Sequence, residues 1–433
     1  MLHPDPSSST PVRIVRRGSG VLAGALFGLV VGILLGAAAP ALSRDPDRSY
    51  RSLRIFSQVF NYIENNYVDS IEQKTLVYGA IVGMMGTLDP YTVFLPPDQY
   101  QKIKEDTTGE FGGLGIEIGL KDGWLTIIAP IADSPAARAG LKSGDRIIAI
   151  EGKTAEGVSV ADSVALLRGP PNTRITLTVQ RDGWDAPRDV ALVRQKLRLN
   201  PVEDRMLQAG LGYVRIKSFQ ERTEHELKKA LDRLTRQARE AGREGLEGLV
   251  LDLRDNPGGL VDEAVRVSDL FLDSGDIVTT EGRNRRHVER QVAHRRGTQP
   301  RYPVAVLVNE GSASASEIVA GALQDHARAV VVGQRSFGKG SVQTIIELDD
   351  GSGLKLTVAR YFTPSGRSIN EHAIDPDLVV PPLAGEITLD SGGGADRGEI
   401  EDAQLLAAIE ALRGGVPVGP PATSRDPSRR NPG

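Results

Sequence analysis

The sequence predicts a mixed chain: an α/β core, a smaller β domain before it, and a helical segment at the N-terminal side. Three observations indicate this. Residues 304–332 run through strand, helix and strand patterns in turn. Residues 109–193 hold short strand patterns separated by glycine-rich turns, and apolar residues between 51 and 67 recur at helical spacing. The 433 residues leave room for two or three domains.

Residues 1–45 are predicted to form a membrane anchor or a signal segment. Three arginines at positions 13–17 precede an uncharged run, residues 18–43, that approaches the roughly 20 residues needed to span a bilayer. The run ends in small residues typical of a cleavage region, where Pro40 leaves Ala41 as the better cleavage position. We expect a retained single-pass anchor in the inner membrane, with the arginines cytoplasmic and the bulk of the chain extracytoplasmic, in the periplasm. Secretion to the periplasm after cleavage is the alternative.

Composition narrows the classes of function. The formal net charge is −4 and the pI is about 6.0, so no overall basic character indicates a nucleic-acid partner. The chain has no cysteine, which excludes thiol catalysis, cysteine-based zinc sites and disulfides. No HExxH or comparable spacing appears, and we expect neither a metal nor a cofactor.

The helical region, residues 46–108, begins with an amphipathic pattern over residues 51–67, carried by Leu53, Phe56, Val59, Phe60, Ile63 and Tyr67. A second apolar helix is predicted over residues 75–86. The simplest interpretation is a helical lid on the core.

Residues 109–198 are predicted to be the smaller β domain. A Gly113-Leu114-Gly115-Ile116 loop precedes a strand; residues 134–150 give a short helix, turn and strand; residues 160–167 give a second helix. This order resembles a PDZ β-sandwich domain. The resemblance implies that amides of the Gly113–Ile116 loop receive a peptide C-terminus and that the next strand offers an edge for strand addition. Arg168, at the end of the second helix, is either solvated or couples peptide binding to the core.

The core, residues 199–384, contains the most informative pattern. An apolar strand over residues 304–308 turns through serines into an alanine-rich helix, and the next strand leads to Lys339 between two glycines. In parallel α/β sheets, sites assemble where the strands end. A serine at a helix start beside a lysine suggests a nucleophile–base pair, with Ser312, Ser314 and Ser316 all open as the nucleophile.

These residues resemble the carboxy-terminal processing peptidases, tail-specific serine proteases of family S41. The S-A-S-A-S-E and F-G-K-G motifs match at Ser314 and Lys339, with a glutamine at Gln343; residues 251–260 and 361–369 match two further motifs. The resemblance covers roughly residues 53–382. It implies a PDZ-guided endopeptidase with a Ser314–Lys339 dyad, Gln343 as a third member, and subunit association through the helical region.

The chemistry places demands on these residues. A lysine base must be neutral, so burial has to lower its pKa by roughly 3 units from about 10.4. The glycines on either side of Lys339 let backbone approach, and no acid lies between positions 333 and 346. Gln343 is uncharged and could orient Lys339 without raising its pKa. The Ala315 amide is one expected oxyanion donor; the resemblance implies Gly259 as the other.

Simpler or rival interpretations exist. Ser314 and Glu317 fit a capping box, in which the serine only caps the helix and Ser312 or a water would take over if Ser314 is the nucleophile. Residues 333–340 nearly match a phosphate-binding loop, but a strand-like sequence follows where a helix is needed. A histidine base is disfavoured because His326 lies about 18 Å along the helix from Ser314; His372 stays open.

The tail, residues 385–433, is rich in Gly, Pro, Ser and Arg and is predicted to be mostly disordered, with one helical stretch at residues 400–412. The sequence as a whole predicts an endopeptidase for proteins with accessible C-termini, with a homo-oligomer or an adaptor as further partners. The first alternative is a non-catalytic PDZ scaffold on an inactive protease fold. The second is a nucleotide-dependent protein using residues 333–339.

Overall fold

The computed structural model describes residues 46–121, 123–131, 133–208, 210–283, 288–382 and 402–414. Within these ranges no helix is both long and apolar enough to cross a bilayer. The predicted anchor, residues 18–43, lies outside the described residues. The chain divides after Gly83 into two compact units.

The first unit is helical. Helix α1 spans Pro46–Asn66 and helix α2 spans Gln73–Met85, ending just beyond the boundary of the unit. Leu53, Phe56 and Val59 on α1 are exposed. The two predicted helices are therefore confirmed, and α1 presents apolar side chains to solvent.

The second unit begins with β1 (Val93–Leu95) and α3 (Pro97–Thr108). It then enters the small β domain through β2 (Glu110–Gly113), which pairs antiparallel with the exit strand β9 (Gln195–Arg198). The sheet between them comprises β3 (Ile116–Lys121), β4 (Trp124–Pro130), β5 (Arg146–Ile150), β6 (Lys153–Thr154), β7 (Arg174–Gln180) and β8 (Arg188–Val193). Helices α4 (Pro135–Arg138) and α5 (Val160–Leu167) form where the sequence predicted them.

A six-stranded sheet forms the centre of the core, in the order β10, β11, β12, β15, β16, β19. All neighbours are parallel except β10 with β11. The strands are β10 (Val202–Gln208), β11 (Leu211–Ile216), β12 (Gly248–Asp252), β15 (Val304–Val308), β16 (Val330–Gly333) and β19 (Leu378–Val379). β12 and β15 are buried throughout, as expected for a parallel sheet covered on both faces.

Alternate residues of these strands point to opposite faces of the sheet. Leu249 and Leu251 pack with one set of helices: α6 (Thr223–Glu240), α7 (Val261–Asp269) and α8 (Ala315–Asp325). Val250 packs on the other face against Leu405 and Ile409 of α10 (Ala403–Gly414). The helix predicted in the tail thus covers one face of the core sheet.

A second sheet stands beside the first, in the order β1, β18, β13, β14, with β17 also on β18. Its strands are β13 (Asp276–Gly282), β14 (Val288–Val292), β17 (Ser341–Glu347) and β18 (Gly353–Phe362), and the short helix α9 (Ile369–His372) follows. Because β17, a strand, follows Lys339, residues 333–340 do not open a helix as a phosphate-binding loop does.

Candidate active site

Three loops meet at one edge of the core sheet. β12, β15 and β16 are adjacent and parallel, so their carboxyl ends lie side by side. They lead respectively to the Gly258-Gly259 turn, to the start of α8 at Ser314, and to the loop that carries Lys339. The sheet order therefore brings together segments that are far apart in the sequence.

Ser314 precedes α8 in an unusual backbone conformation. Its φ is 55° and its ψ is −111°, a region that non-glycine residues rarely adopt and that clusters at functional sites. Its side chain is largely buried, with 8% of the residue exposed. The capping box with Glu317 is present, and the Ser314 amide donates to Glu317 Oε2 at 2.7 Å.

The hydroxyls of the two neighbouring serines form hydrogen bonds with the backbone. The Ser312 hydroxyl donates to Leu253 O at 2.8 Å and accepts from Asn309 N at 3.0 Å. The Ser316 hydroxyl donates to Asn256 O at 2.9 Å. Both residues are fully buried. Of the three serines that the sequence left open, Ser314 is the one whose surface reaches solvent.

The glycine turn after β12 packs directly on Ser314. A Cβ at Gly258 would lie 2.9 Å from Ser314 Cβ and 3.0 Å from Ala315 N, so only glycine fits there. A Cβ at Gly259 would lie 2.2 Å from Phe219 O, which is closer still. Among the hydrogen bonds of the described residues, none is donated by the amide of Gly259 or of Ala315. The Ala315 amide is one of the four at a helix start that lack an acceptor within the helix.

Lys339 lies half-buried on the third loop, and its Nζ is 5.1 Å from the centroid of the Tyr91 ring. Burial, followed by repulsion from Lys355, lowers the pKa of Lys339, while Glu317 opposes this shift. The predicted close approach of backbone is present at Gly340, where a Cβ would lie 2.1 Å from Asn370 N.

Glu317 joins the serine and lysine loops. Its Oε2 accepts from the amides of both Ser314 (2.7 Å) and Lys339 (2.9 Å). Its Oε1 accepts from the Gly338 amide at 2.7 Å and the Ser336 hydroxyl at 2.5 Å. Burial raises the pKa of Glu317, and these four hydrogen bonds oppose the shift. Sequence reasoning missed this contact because it sought acids only near Lys339 in sequence.

Gln343 lies on β17, and its amide nitrogen donates to two side chains and one carbonyl. These are Ser341 Oγ at 2.7 Å, Ser341 O at 3.1 Å and Thr357 Oγ1 at 3.5 Å. Its orientation of Lys339 stays a prediction.

Other groups that the sequence raised lie elsewhere. His326 ends α8, with its Nε2 2.7 Å from Asp276 O. His372 lies in α9, and its carbonyl accepts from Arg335. Within the described ranges, no group of three or more acidic or histidine side chains could hold a metal ion.

The glycine loop of the small β domain lies between β2 and β3. The carbonyl of Leu114 accepts from Ala136 N at 3.0 Å, and the carbonyl of Gly115 accepts from Ile131 N at 2.8 Å. In a trans peptide the N–H points opposite to the carbonyl, so the amides of Gly115 and Ile116 point away from these contacts. The Arg168 guanidinium stacks on the Phe111 ring at 4.5 Å, and its coupling role stays a prediction.

Three family models match the chain. Peptidase family S41 matches residues 210–380, the PDZ domain matches residues 126–181, and the N-terminal domain of the activating protease CtpB matches residues 38–98. The matches follow the predicted order of helical region, PDZ domain and protease core.

Curated relatives extend over most of the chain. A carboxy-terminal-processing protease of Bartonella bacilliformis is 38% identical over 89% of this chain and 95% of its own length. A carboxyl-terminal-processing protease of Synechocystis sp. is 36% identical over 92% and 95%. A solved photosystem II D1 C-terminal processing protease is 32% identical, covers 76% of this chain and 92% of its own, and has a TM-score of 0.44. The chain therefore belongs to peptidase family S41, as a PDZ-containing serine protease of the carboxy-terminal processing group.

Proposed function

We propose that the protein cleaves proteins near their C-termini with Ser314 as nucleophile and Lys339 as base. The observation that carries this proposal is the shared acceptor Glu317 Oε2. The amides of Ser314 and Lys339 both donate to this oxygen. The distance between their two nitrogens is therefore no greater than the sum of the two hydrogen-bond lengths. The proposal rests as well on the lowered pKa of Lys339, which favours the neutral amine that a base must be.

In this mechanism neutral Lys339 Nζ takes the proton of Ser314 Oγ as the oxygen attacks the scissile carbonyl. The amides of Ala315 and Gly259 donate to the negative oxygen of the tetrahedral intermediate, which is worth about 3 kcal/mol per donor at comparable sites. The lysine ammonium then gives its proton to the leaving amine. A water, deprotonated by Lys339, hydrolyses the acyl-enzyme.

Substitution at the two residues tests the dyad. We expect Ser314→Ala and Lys339→Arg to abolish cleavage of a peptide substrate, because arginine stays protonated at any working pH. Asp349→Asn, at an exposed turn of the β17–β18 hairpin, serves as the control with unchanged kcat/KM. Substantial turnover by Lys339→Arg would overturn the dyad, and loss of activity on replacing His372 instead would indicate a histidine base.

The PDZ domain is proposed to capture the C-terminal carboxylate of the substrate through the Gly113–Ile116 loop. The direction of the Gly115 and Ile116 amides supports this, since two adjacent N–H groups suit a carboxylate. Peptides with an amidated C-terminus should show a raised KM compared with the free acid. Equal kinetics for both peptides would contradict capture at this loop.

We also propose that residues 18–43 anchor the protein in the inner membrane with its catalytic part in the periplasm. The uncharged run and the preceding arginines support this placement. Extraction of membranes at alkaline pH should leave the full chain in the pellet. Release into the soluble periplasmic fraction would favour signal cleavage instead.

Self-association through the helical unit is a further proposal. The exposed apolar side chains of α1 and the match to the CtpB N-terminal domain support it. Sedimentation of residues 44–433 should show an oligomer that Phe56→Glu weakens. A monomer at micromolar concentration would leave an adaptor as the partner to seek.

A further inference from the structure

The turn at residues 89–92 lies between α2 and β1 and contacts Lys339. It has no part in the proposed dyad or in the role predicted for Gln343. The Tyr91 ring lies against Lys339, with 5.1 Å between the ring centroid and Nζ. Tyr91 is itself half-buried. A ring in this position excludes water from one side of the amine.

Asp89 holds this turn in place. Its Oδ1 accepts from the amides of Tyr91 (2.9 Å) and Thr92 (3.0 Å), and its Oδ2 accepts from the Thr92 hydroxyl at 2.7 Å. Burial works against its charge, but these bonds and one from Thr357 outweigh burial and lower the pKa of Asp89. The carboxylate therefore stays ionised and fixes the backbone on which Tyr91 stands.

The same carboxylate ties the turn to the strand beside Gln343. Thr357 Oγ1 donates to Asp89 Oδ1 at 3.1 Å, and the Thr357 amide donates to Thr92 Oγ1 at 3.1 Å. Gln343 Nε2 lies 3.5 Å from Thr357 Oγ1. A continuous polar chain thus runs from Gln343 through Thr357 to the turn that carries Tyr91.

We propose that the Asp89 turn is a positioning element of the active site, in which Asp89 fixes Tyr91 and the Tyr91 ring covers the amine of Lys339. The inference rests on the proposed function, since the turn is argued to act on Lys339, the proposed base. Tyr91 and Asp89 are positioning residues, because they act through Lys339.

Two effects of the ring on the amine oppose each other. The face of an aromatic ring attracts an ammonium by about 0.5–2 kcal/mol, which favours the protonated form. Loss of water disfavours that form, by up to 3–5 pKa units when a lysine is fully buried. The charged groups that act on Lys339 are Lys355, which disfavours the protonated amine, and Glu317, which favours it. Burial is the largest of the effects that lower the pKa of Lys339, so uncovering the amine should favour its protonated form.

The pH dependence of kcat/KM tests the inference on the full chain with a peptide substrate. For Tyr91→Ala, the midpoint of the rise with pH should move up by about one unit, which lowers kcat/KM at pH 7 about tenfold and restores it at high pH. Tyr91→Phe keeps the ring and should keep the wild-type profile. Asp89→Asn, which loses an acceptor but no packing volume, should shift the profile in the same direction as Tyr91→Ala. Asp349→Asn is the matched control.

The outcomes separate the inference from the proposed function. Turnover by Lys339→Arg would remove the dyad and this inference with it. If Lys339 is required but Tyr91→Ala and Asp89→Asn keep the wild-type midpoint, the dyad stands and the positioning element is wrong. A loss of equal size at every pH would also overturn it, because a merely structural turn would lower activity without moving the midpoint.

Discussion

Lys339 is the residue at which activity and stability oppose each other. Burial lowers the pKa of Lys339 in the folded chain, whereas the unfolded chain keeps it near 10.5. Between these two values the folded chain binds fewer protons than the unfolded chain. By linkage the free energy of unfolding then rises with pH across that interval, and the cost of the buried charge is fully present below it.

Lys339→Met should therefore stabilise the protein while abolishing activity. At pH 6 the gain in free energy of unfolding should be about 1 kcal/mol, because the amine is only half-buried and solvent screens part of its charge. The gain should fade as the pH rises towards 10. Urea unfolding at pH 6 and pH 10 measures both values. An equal gain at both pH values would mean that the difference in stability between lysine and methionine at this position comes from packing and not from charge.

At the scale of elements, the glycine turn after β12 sets the position of the serine. Gly258 has a φ of 103°, and an added Cβ would lie 2.7 Å from Ala313 O and 2.9 Å from Ser314 Cβ. Gly258→Ala should push Ser314 aside and lower kcat about a hundredfold or more, since small displacements at reacting groups have large effects. Labelling by a serine-directed phosphonate should slow in parallel.

The control for this substitution is Gly366→Ala. Gly366 also has a positive φ, 82°, but an added Cβ there meets nothing within 4 Å. Both variants have the strain of a positive φ, so a difference in kcat reports the contacts with Ser314 and its two neighbours. Equal kcat values would show that the turn does not position the serine.

Helix α10 is part of the folded core. Leu405 and Ile409 are buried against the sheet. Ahead of the helix, Asp402 accepts two hydrogen bonds from Arg254, at 3.0 and 2.8 Å. Arg254 lies between the end of β12 and the Asp255–Gly259 turn. Its bonds to Asp402 therefore connect the start of α10 to the end of β12. A segment outside the matched protease region thus supports the strand that leads into the site.

Two adjacent leucines of α10 measure this support. Leu405 is buried and Leu406 is 43% exposed, and replacement by alanine changes the helix propensity at both positions by the same small amount. Leu405→Ala should lower the free energy of unfolding by about 2–4 kcal/mol, whereas Leu406→Ala should change it by no more than about 0.5 kcal/mol. If urea unfolding gave the same free energy of unfolding for the two variants, α10 would not pack on the sheet in solution.

At the scale of the whole molecule, the PDZ domain is an insertion with adjacent ends. β2 and β9 pair in register, Gly113 opposite Gln195. Replacement of residues 114–194 by Asn-Gly should join them as a hairpin, because this dipeptide suits a two-residue turn. The shortened protein should fold and react with a serine-directed phosphonate but no longer distinguish free from amidated C-termini. A retained preference for the free acid would place recognition in the core.

Local patterns predicted much of this organisation, because strand and helix periodicity are properties of short windows. The β15–α8–β16 unit and the PDZ elements formed where expected. The bond between Glu317 and the Lys339 amide joins residues 22 apart in the sequence, and Tyr91 reaches Lys339 from the turn that precedes β1. Such contacts depend on the order of strands, which periodicity does not specify. The packing of α10 was equally hidden, since a short apolar helix in a polar tail carries no sign of its partner.

The pairing of β1 with β18 determines when, during synthesis of the chain, the active site can form. Val93 stands opposite Lys355, and the Tyr91 turn is held by Thr357. A chain still emerging from the ribosome therefore cannot complete the surroundings of Lys339 until nearly the whole core has been made. We expect chains released at residue 350 to be inert towards a serine-directed phosphonate. Such a protease would be unable to attack its neighbours, or itself, before its synthesis is nearly complete.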